Sequence, residues 1–214
     1  MPVDKEVTRL TEAVADVPDG AVVMVGGFGG PGGMPVQLIE ALRDQGAREL
    51  TLITNSAGLP GFGTKKGGPT LANTGVLFAN KQVVKTIASF PVTRSVSVIN
   101  EFQKAWQAGK VELEVVPQGT LAERIRAGGA GIPAFYTPTS VGTSLVGDKE
   151  VREFEGRQYV LETALQADFA LVRALMADRM GNLVYSRGSR SFNPVMAMAA
   201  RVTIVEVDAI VEPG

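Results

Sequence analysis

Two apolar periods alternate along this chain. Val3, Val7, Leu10 and Val14 recur at helical spacing and share one face. After a turn at Asp19-Gly20, Ala21 to Val25 is a continuous apolar run, as in a strand buried on both faces. Pro35 to Arg43 returns to helical spacing, with Pro35 suited to the first helical position and Leu38, Ile39 and Leu42 forming the stripe. Leu50 to Thr54 is the next strand. A β-loop-α-β opening predicts an α/β fold, an open, mostly parallel sheet covered by helices.

The same reading continues downstream. Asn100 caps a helix, with Gln103 reaching back and Gly109 ending it. Val111 to Val116 is a strand, and Thr120 with Glu123 forms a capping box for a short helix that stops at Gly128-Gly129. Arg152 to Leu161 is extended chain with a turn at Glu155-Gly156. Asp168 to Leu175 and Leu183 to Tyr185 flank the turn Met180-Gly181-Asn182. Asn193 and Pro194 start a small-residue helix through Ala200, and Val202 to Val207 is a last buried strand. With no repeat and no long linker, residues 1–214 are expected to form a single domain, which at this size buries roughly 70% of the unfolded surface.

Composition narrows the chemistry. The formal net charge of −1 gives no basic excess for nucleic acid or an acidic membrane. The chain has neither His nor Cys, so zinc sites of the Cys/His kind, thiolate nucleophiles and Ser-His-Asp triads are excluded within it. A polar start, Met1-Pro2-Val3-Asp4-Lys5-Glu6, and no apolar run of membrane-spanning length lead us to expect a cytoplasmic protein.

The 25 glycines cluster, most densely in Gly26-Gly27-Phe28-Gly29-Gly30-Pro31-Gly32-Gly33-Met34-Pro35. Gly27, Gly29 and Gly32 satisfy the G-x-G-x-x-G spacing of a dinucleotide site between a strand and a helix. That site also needs an acidic residue at the carboxyl end of the second strand, and here the chain has Thr54-Asn55-Ser56, with Glu49 at the wrong end. An acyl thioester or carboxylate is the better ligand for such a loop, with a turn that serves only the geometry of the fold as the alternative. Gly58 and Gly63 have P-loop spacing, but Thr64-Lys65 reverses the required order, and Lys65-Lys66 reads as a solvated loop tip.

Three stretches carry a resemblance. Asp19-Gly20-Ala21-Val22-Val23-Met24-Val25-Gly26-Gly27-Phe28, closed by Gly33-Met34-Pro35, resembles the N-terminal signature of family I CoA-transferases, with one residue more in the spacer. The run from Val116-Pro117-Gln118-Gly119-Thr120 through Gly128-Gly129-Ala130-Gly131-Ile132-Pro133 to Thr139 resembles their central motif. Asp168 to Val172, Ala177-Asp178-Arg179, Gly181-Asn182 and Asn193-Pro194-Val195-Met196 resemble the C-terminal part of the A subunit of the 3-oxoacid type. The resemblance implies an open α/β sheet and transfer of CoA from an acyl-CoA to a free carboxylate. The implied route is ping-pong, through a glutamyl-CoA thioester whose glutamate belongs to a separate B subunit. No catalytic nucleophile is then expected in this chain, no metal, and no cofactor beyond the CoA esters that are its substrates. Succinyl-CoA and acetoacetate are the first expectation. 3-Oxoadipate, acetate or butyrate as acceptor, or a non-catalytic acyl-CoA-binding module, are the alternatives.

Within that frame the candidate binding and oxyanion residues are Gly26, Gly27, Phe28, Gly29, Asn55, Gln118, Gly128 and Gly129. Gln118 and Asn55 each follow a predicted strand, at the carboxyl edge where open α/β sheets bind ligands, and their amides donate without adding charge. The competing readings are a solvent-facing glutamine and an Asx turn. Gly26, Gly27 and Gly29 offer backbone amides, and Phe28 either walls the pocket or fills the core. Gly128 and Gly129 either admit the pantetheine arm or shape the boundary between subunits. Glu123 is assigned to the helix cap, Arg124 and Arg126 to a solvated helix face, and Trp106 to packing. Phe62, Phe78, Phe90 and Phe102, in or beside loops, hint at a partner surface.

Overall fold

The computed structural model describes residues 5–28, 32–60, 72–93, 95 and 97–213. In chain order the elements are α1 (Leu10–Ala13), β1 (Val22–Val25), α2 (Val36–Gln45), β2 (Leu50–Ser56), α3 (Gly75–Ala79), β3 (Val83–Phe90), α4 (Glu101–Gln107), β4 (Glu112–Val115), α5 (Gln118–Gly129), β5 (Ala134–Thr137), β6 (Val151–Phe154), β7 (Arg157–Thr163), β8 (Ala167–Arg173), β9 (Met176–Asp178), β10 (Leu183–Val184), α6 (Asn193–Ala199), β11 (Ala200–Glu206) and β12 (Ala209–Val211). Six strands make one all-parallel sheet in the order β11-β8-β1-β2-β3-β4. Strand alternation sorts its side chains between two cores. Val23, Val25, Leu50 and Leu52 face Leu38, Ile39 and Leu42 of α2, Leu77 and Phe78 of α3, and Phe102 of α4. Met24, Ile53, Ile87, Ala170 and Val172 face Leu121 and Ile125 of α5 and Met196 of α6. Each fully buried Leu or Ile contributes on the order of 1.5–3 kcal/mol. The open parallel sheet expected from the sequence is what forms.

The strand order reverses between β1 and β8. From β1 the chain steps outward through β2, β3 and β4, then returns to place β8 and β11 on the other side. Open α/β sheets take ligands in the crevice outside the carboxyl ends at such a reversal. Two three-stranded sheets flank the main one, β5-β7-β6 and β10-β9-β12. The hairpin between β6 and β7 turns at Glu155 and Gly156, both at positive φ, as the sequence indicates. Asn100 and Gln103 form the expected reciprocal capping box on α4.

Several local readings are corrected. The helical stripe from Val3 yields only the four residues of α1; Val3 lies outside the described residues, Val7 and Leu10 are exposed, and Val14, just past the helix, is the member of the stripe that enters the core. Helices are stabilised mainly by packing, and this stripe packs at its Val14 end while Val7 and Leu10 stay exposed. Pro35 is the N-cap of α2, not its first residue. Helix α5 starts at Gln118 behind Pro117, so Thr120 lies inside the first turn and makes no cap. The last stretch of the sheet is an edge: Val202 is 48% exposed because, among the described residues, β11 has a strand neighbour, β8, on one side alone, and β12 follows it. Phe78 and Phe102 are core residues in edge-to-face contact at 5.4 Å. Of the aromatics expected at a partner surface, Phe90 is 49% exposed and Phe62 lies outside the described residues.

Arg124 also departs from expectation. It is buried, with Nη1 donating to Glu114 Oε1 at 2.6 Å, Nε donating to the Thr163 carbonyl at 2.7 Å, and Glu162 3.7 Å away. Lys149 donates to the other oxygen of Glu162 at 2.7 Å. The small sheet β5-β7-β6 folds over this face of α5 and removes it from water, which no local pattern announces. Arg126 stays exposed and pairs with Glu123 at 2.6 Å. That bond, not a cap, holds the Glu123 carboxyl below the usual carboxylate range.

Gly128 packs where no side chain fits. A Cβ there would sit 2.0 Å from the Leu165 carbonyl oxygen, whereas a Cβ at Gly119 in the same helix meets nothing within 4 Å. Gly128→Ala is therefore expected to cost about 1–3 kcal/mol from overpacking. Gly119→Ala is expected to be neutral or to stabilise by up to about 1 kcal/mol through helix propensity. Urea unfolding midpoints at unchanged slope measure both.

Candidate active site

The glycine turn leaves β1 at the strand reversal. The Gly26 amide donates to the Leu171 carbonyl of β8 at 2.9 Å. Phe28 and Gly32 exchange backbone hydrogen bonds at 2.9 and 3.0 Å and so close the foot of the turn. Asn193, fully buried at the start of α6, fills the space that side chains at these glycines would need. A Cβ on Gly26 would lie 1.9 Å from Asn193 Oδ1, and one on Gly33, at φ 77°, would lie 2.3 Å from the Ser189 carbonyl. Asn193 Oδ1 accepts from the Arg173 amide at 3.1 Å, while its Nδ2 donates to the carbonyls of Gly33 at 3.0 Å and Ser189 at 2.9 Å. The Gly26 amide is thus spent inside the protein. Gly29 lies outside the described residues, as do Gly63 to Lys66. Phe28 is half-buried and stacks on Phe192 at 6.4 Å, joining the core beneath α5 and α6.

The first turn of α2 is filled as well. Glu206 Oε2 accepts from the amides of Gln37 at 2.8 Å and Leu38 at 3.3 Å. A pyrophosphate in a dinucleotide site would need these same donors. The structure therefore gives a second reason, beside the missing acidic residue, to set that reading aside.

Asn55 and Gln118 come together. Asn55, buried near the end of β2, accepts at Oδ1 from Gln118 Nε2 at 2.7 Å. The pair bridges from β2 to the start of α5 across the end of β3. There Ser89 stands opposite Asn55 in register, between the pairs Thr54↔Ala88 and Ser56↔Phe90. The Ser89 hydroxyl is buried with no partner among the described residues. Sequence reading passed over Ser89, although its alternation with Ile87 was sufficient to place it on this face. Beside the amides, the N-terminus of α5 has Pro117 as N-cap and no capping side chain. Neutral amide donors and a positive helix end thus converge on one edge, which suits a carboxylate or an oxyanion. Asn55, Gln118 and Ser89 supply no group that ionises near neutral pH.

Gly128 and Gly129 are not part of this cluster. A 12-residue helix runs about 18 Å, and α5 returns them to the opposite edge of the sheet. There Gly128 meets Leu165, and a Cβ on Gly129 would lie 2.9 Å from Met198. These contacts let α5 and α6 approach each other. Trp106 is 48% exposed on α4, away from the pair.

A strand-order reversal with donors gathered at its carboxyl edge agrees with the relationships of the sequence. The sequence model of the family described as Coenzyme A transferase matches residues 7–214, and the chain belongs to that family. It is 52% identical over 198 residues to the A subunit of the succinyl-CoA:3-ketoacid coenzyme A transferase of Xanthomonas campestris pv. campestris, covering 92% of this chain and 75% of the relative. It is 48% identical over 212 residues to the A subunit of the 3-oxoadipate CoA-transferase of Pseudomonas putida, covering 99% and 86%. A variant of the decarboxylase AibA/AibB superposes with a TM-score of 0.74 at 27% identity, over 96% of this chain and 75% of that one. Glutaconate coenzyme A-transferase from Acidaminococcus fermentans superposes at 0.78 with 22% identity, over 97% and 68%, and shares the fold. The chain is a CoA-transferase chain.

The amide pair is testable apart from activity. In a double-mutant cycle, Asn55→Ala and Gln118→Ala should be non-additive in unfolding free energy by about 0.5–1.5 kcal/mol, as for one hydrogen bond. Additivity within about 0.3 kcal/mol would show that the two side chains do not interact.

Proposed function

We propose that this chain is the A subunit of a two-chain enzyme that moves CoA from succinyl-CoA to a 3-oxoacid, with acetoacetate the first acceptor to try. The observation that carries the reading is the Asn55–Gln118 pair beside the uncapped start of α5, a site suited to negative charge whose described side chains Asn55, Gln118 and Ser89 include no carboxylate or thiolate. Relatives that share about half of its residues are named as A subunits of such transferases. The nucleophile is then a glutamate of a B subunit, already ionised at pH 7 and in need of no general base. Its attack on the thioester carbonyl makes a tetrahedral oxyanion. The C–S bond breaks to release CoA thiolate and leave an acyl-glutamyl anhydride. The thiolate then attacks the glutamyl carbonyl, releasing the first acid and leaving the glutamyl-CoA thioester. The acceptor acid reverses these steps. Gln118 and Asn55 serve by donating to the oxyanion or to the acid's carboxylate.

The reaction calls for no cofactor beyond the CoA esters. Residues 1–214 act as one domain, and the chain works in the cytoplasm. None of the described helices is long and apolar enough to cross a membrane. 3-Oxoadipate is the second acceptor to test, since one of the two A-subunit relatives above carries that name.

Co-purification of the chain with its B subunit, followed by assay of succinyl-CoA with acetoacetate, tests the reading. Activity should appear only with both chains and show ping-pong kinetics. Gln118→Ala should lower kcat on the order of 100-fold, as for loss of one oxyanion donor. A chain that binds acyl-CoA alone and gains no transferase activity with any partner would instead be a binding module.

A further inference from the structure

The start of α2 has no local cap. Its N-cap is Pro35, which has no side-chain oxygen, and its first-turn amides are served by a residue 169 positions away. That residue is Glu206, the last of β11 and 9% exposed. One carboxylate oxygen takes the Gln37 and Leu38 amides, and the other accepts from Arg173 Nη1 at 2.6 Å. Arg173 also reaches Asp208. Its own backbone amide donates to Asn193 Oδ1, and Asn193 in turn holds the Gly33 carbonyl. Arg173 therefore anchors both supports of the glycine turn. Asn193 grips it through Gly33, and Glu206 fixes the helix onto which it leads.

A Ser or Asp at the N-cap would cap α2 locally. A buried carboxylate brought in from the last strand of the main sheet does something more, because it ties the position of the turn to the ends of β8 and β11. From this geometry we infer that Glu206, held by Arg173, is a positioning residue of the transfer reaction. It occupies the anion position at the start of α2 and sets the glycine turn relative to the Asn55–Gln118 pair. The inference rests on the transferase reading of that site. It also means that the anionic part of a substrate is received on the α5 side of the edge, since the α2 side is already neutralised from within.

Glu206→Ala vacates a space suited to a small carboxylate, which makes chemical rescue possible. In the A–B complex, Glu206→Ala should lower kcat about 10- to 100-fold, the scale of a misplaced site, with KM for the acyl-CoA changed by less than about threefold. Added sodium formate should restore part of that kcat and raise the melting temperature of the variant, while leaving wild type unchanged; sodium chloride at equal ionic strength should do neither. Glu206→Gln keeps the volume but cannot serve both the amides and the guanidinium, and it should show the same loss of kcat without rescue. It is the variant to read if Glu206→Ala does not fold. Wild-type kcat in a folded Glu206→Ala or Glu206→Gln complex would overturn the inference. So would a loss of activity that only follows the folded fraction, with formate raising the melting temperature but not kcat. Wild-type activity is the control that separates the two claims. A wild-type complex that transfers no CoA defeats the transferase reading, and the response of Glu206→Ala melting to formate then decides whether the start of α2 is an anion position.

Discussion

The contact between Asn193 and Gly26 is the constraint on which the carboxyl edge depends. Asn193 Oδ1 lies where a Cβ on Gly26 would sit, and the same side chain ties the Arg173 amide to the Gly33 carbonyl. Parallel strands that diverge at a reversal leave backbone groups uncovered between them, and buried backbone groups need partners. One asparagine supplies three of those partners here. Its position requires glycine opposite, so glycine at 26 and 33 is explained by packing before any ligand is considered. The loop most easily taken for a nucleotide cradle is in large part a seat for an asparagine.

Charge at the edge follows from how the helix ends are treated. The start of α2 is neutralised by Glu206, that of α4 by its capping box, and that of α5 by no side-chain cap. Only the α5 end combines an uncapped start with a neutral amide pair and a buried hydroxyl that lacks a partner among the described residues. At its flank α5 is tied down by the buried Arg124 and Glu162, with the partly exposed Glu114 as the third member of the group. Removing one member of such a group leaves an uncompensated buried charge, which is far more costly than replacing the whole set by apolar residues. Anchoring the helix this way keeps Gln118 in place without spending polar groups at the edge itself.

What the sequence revealed and what it hid divide by the range of the interaction. The individual strands, the Asn100 box and the Glu155-Gly156 hairpin depend on residues a few positions apart, and each was legible; the order in which the strands pair, as of Val23 with Phe169, is long-range and followed from the alternation of elements. Asn55 and Gln118 were legible as edge residues because each follows a strand, though not as a bonded pair 63 positions apart. Glu206 and the burial of Arg124 were hidden, because their partners lie 169 and 39 positions away. Thr120 and Glu123 misled because a local capping pattern competes with two other local effects, a proline N-cap and an i,i+3 ion pair with Arg126. The reason for glycine at 128, the Leu165 carbonyl, was hidden because it arrives from the connection between β7 and β8.

The central claim is that this chain builds a receptacle for negative charge while another chain provides the attacking carboxylate. Peptide mass mapping of the A–B complex after incubation with succinyl-CoA tests it most directly, with hydroxylamine or borohydride used to mark the thioester-bearing side chain. The account predicts one marked glutamate, in the B subunit, and no mark within residues 1–214. A mark on a carboxylate of this chain, Glu206 included, would contradict it.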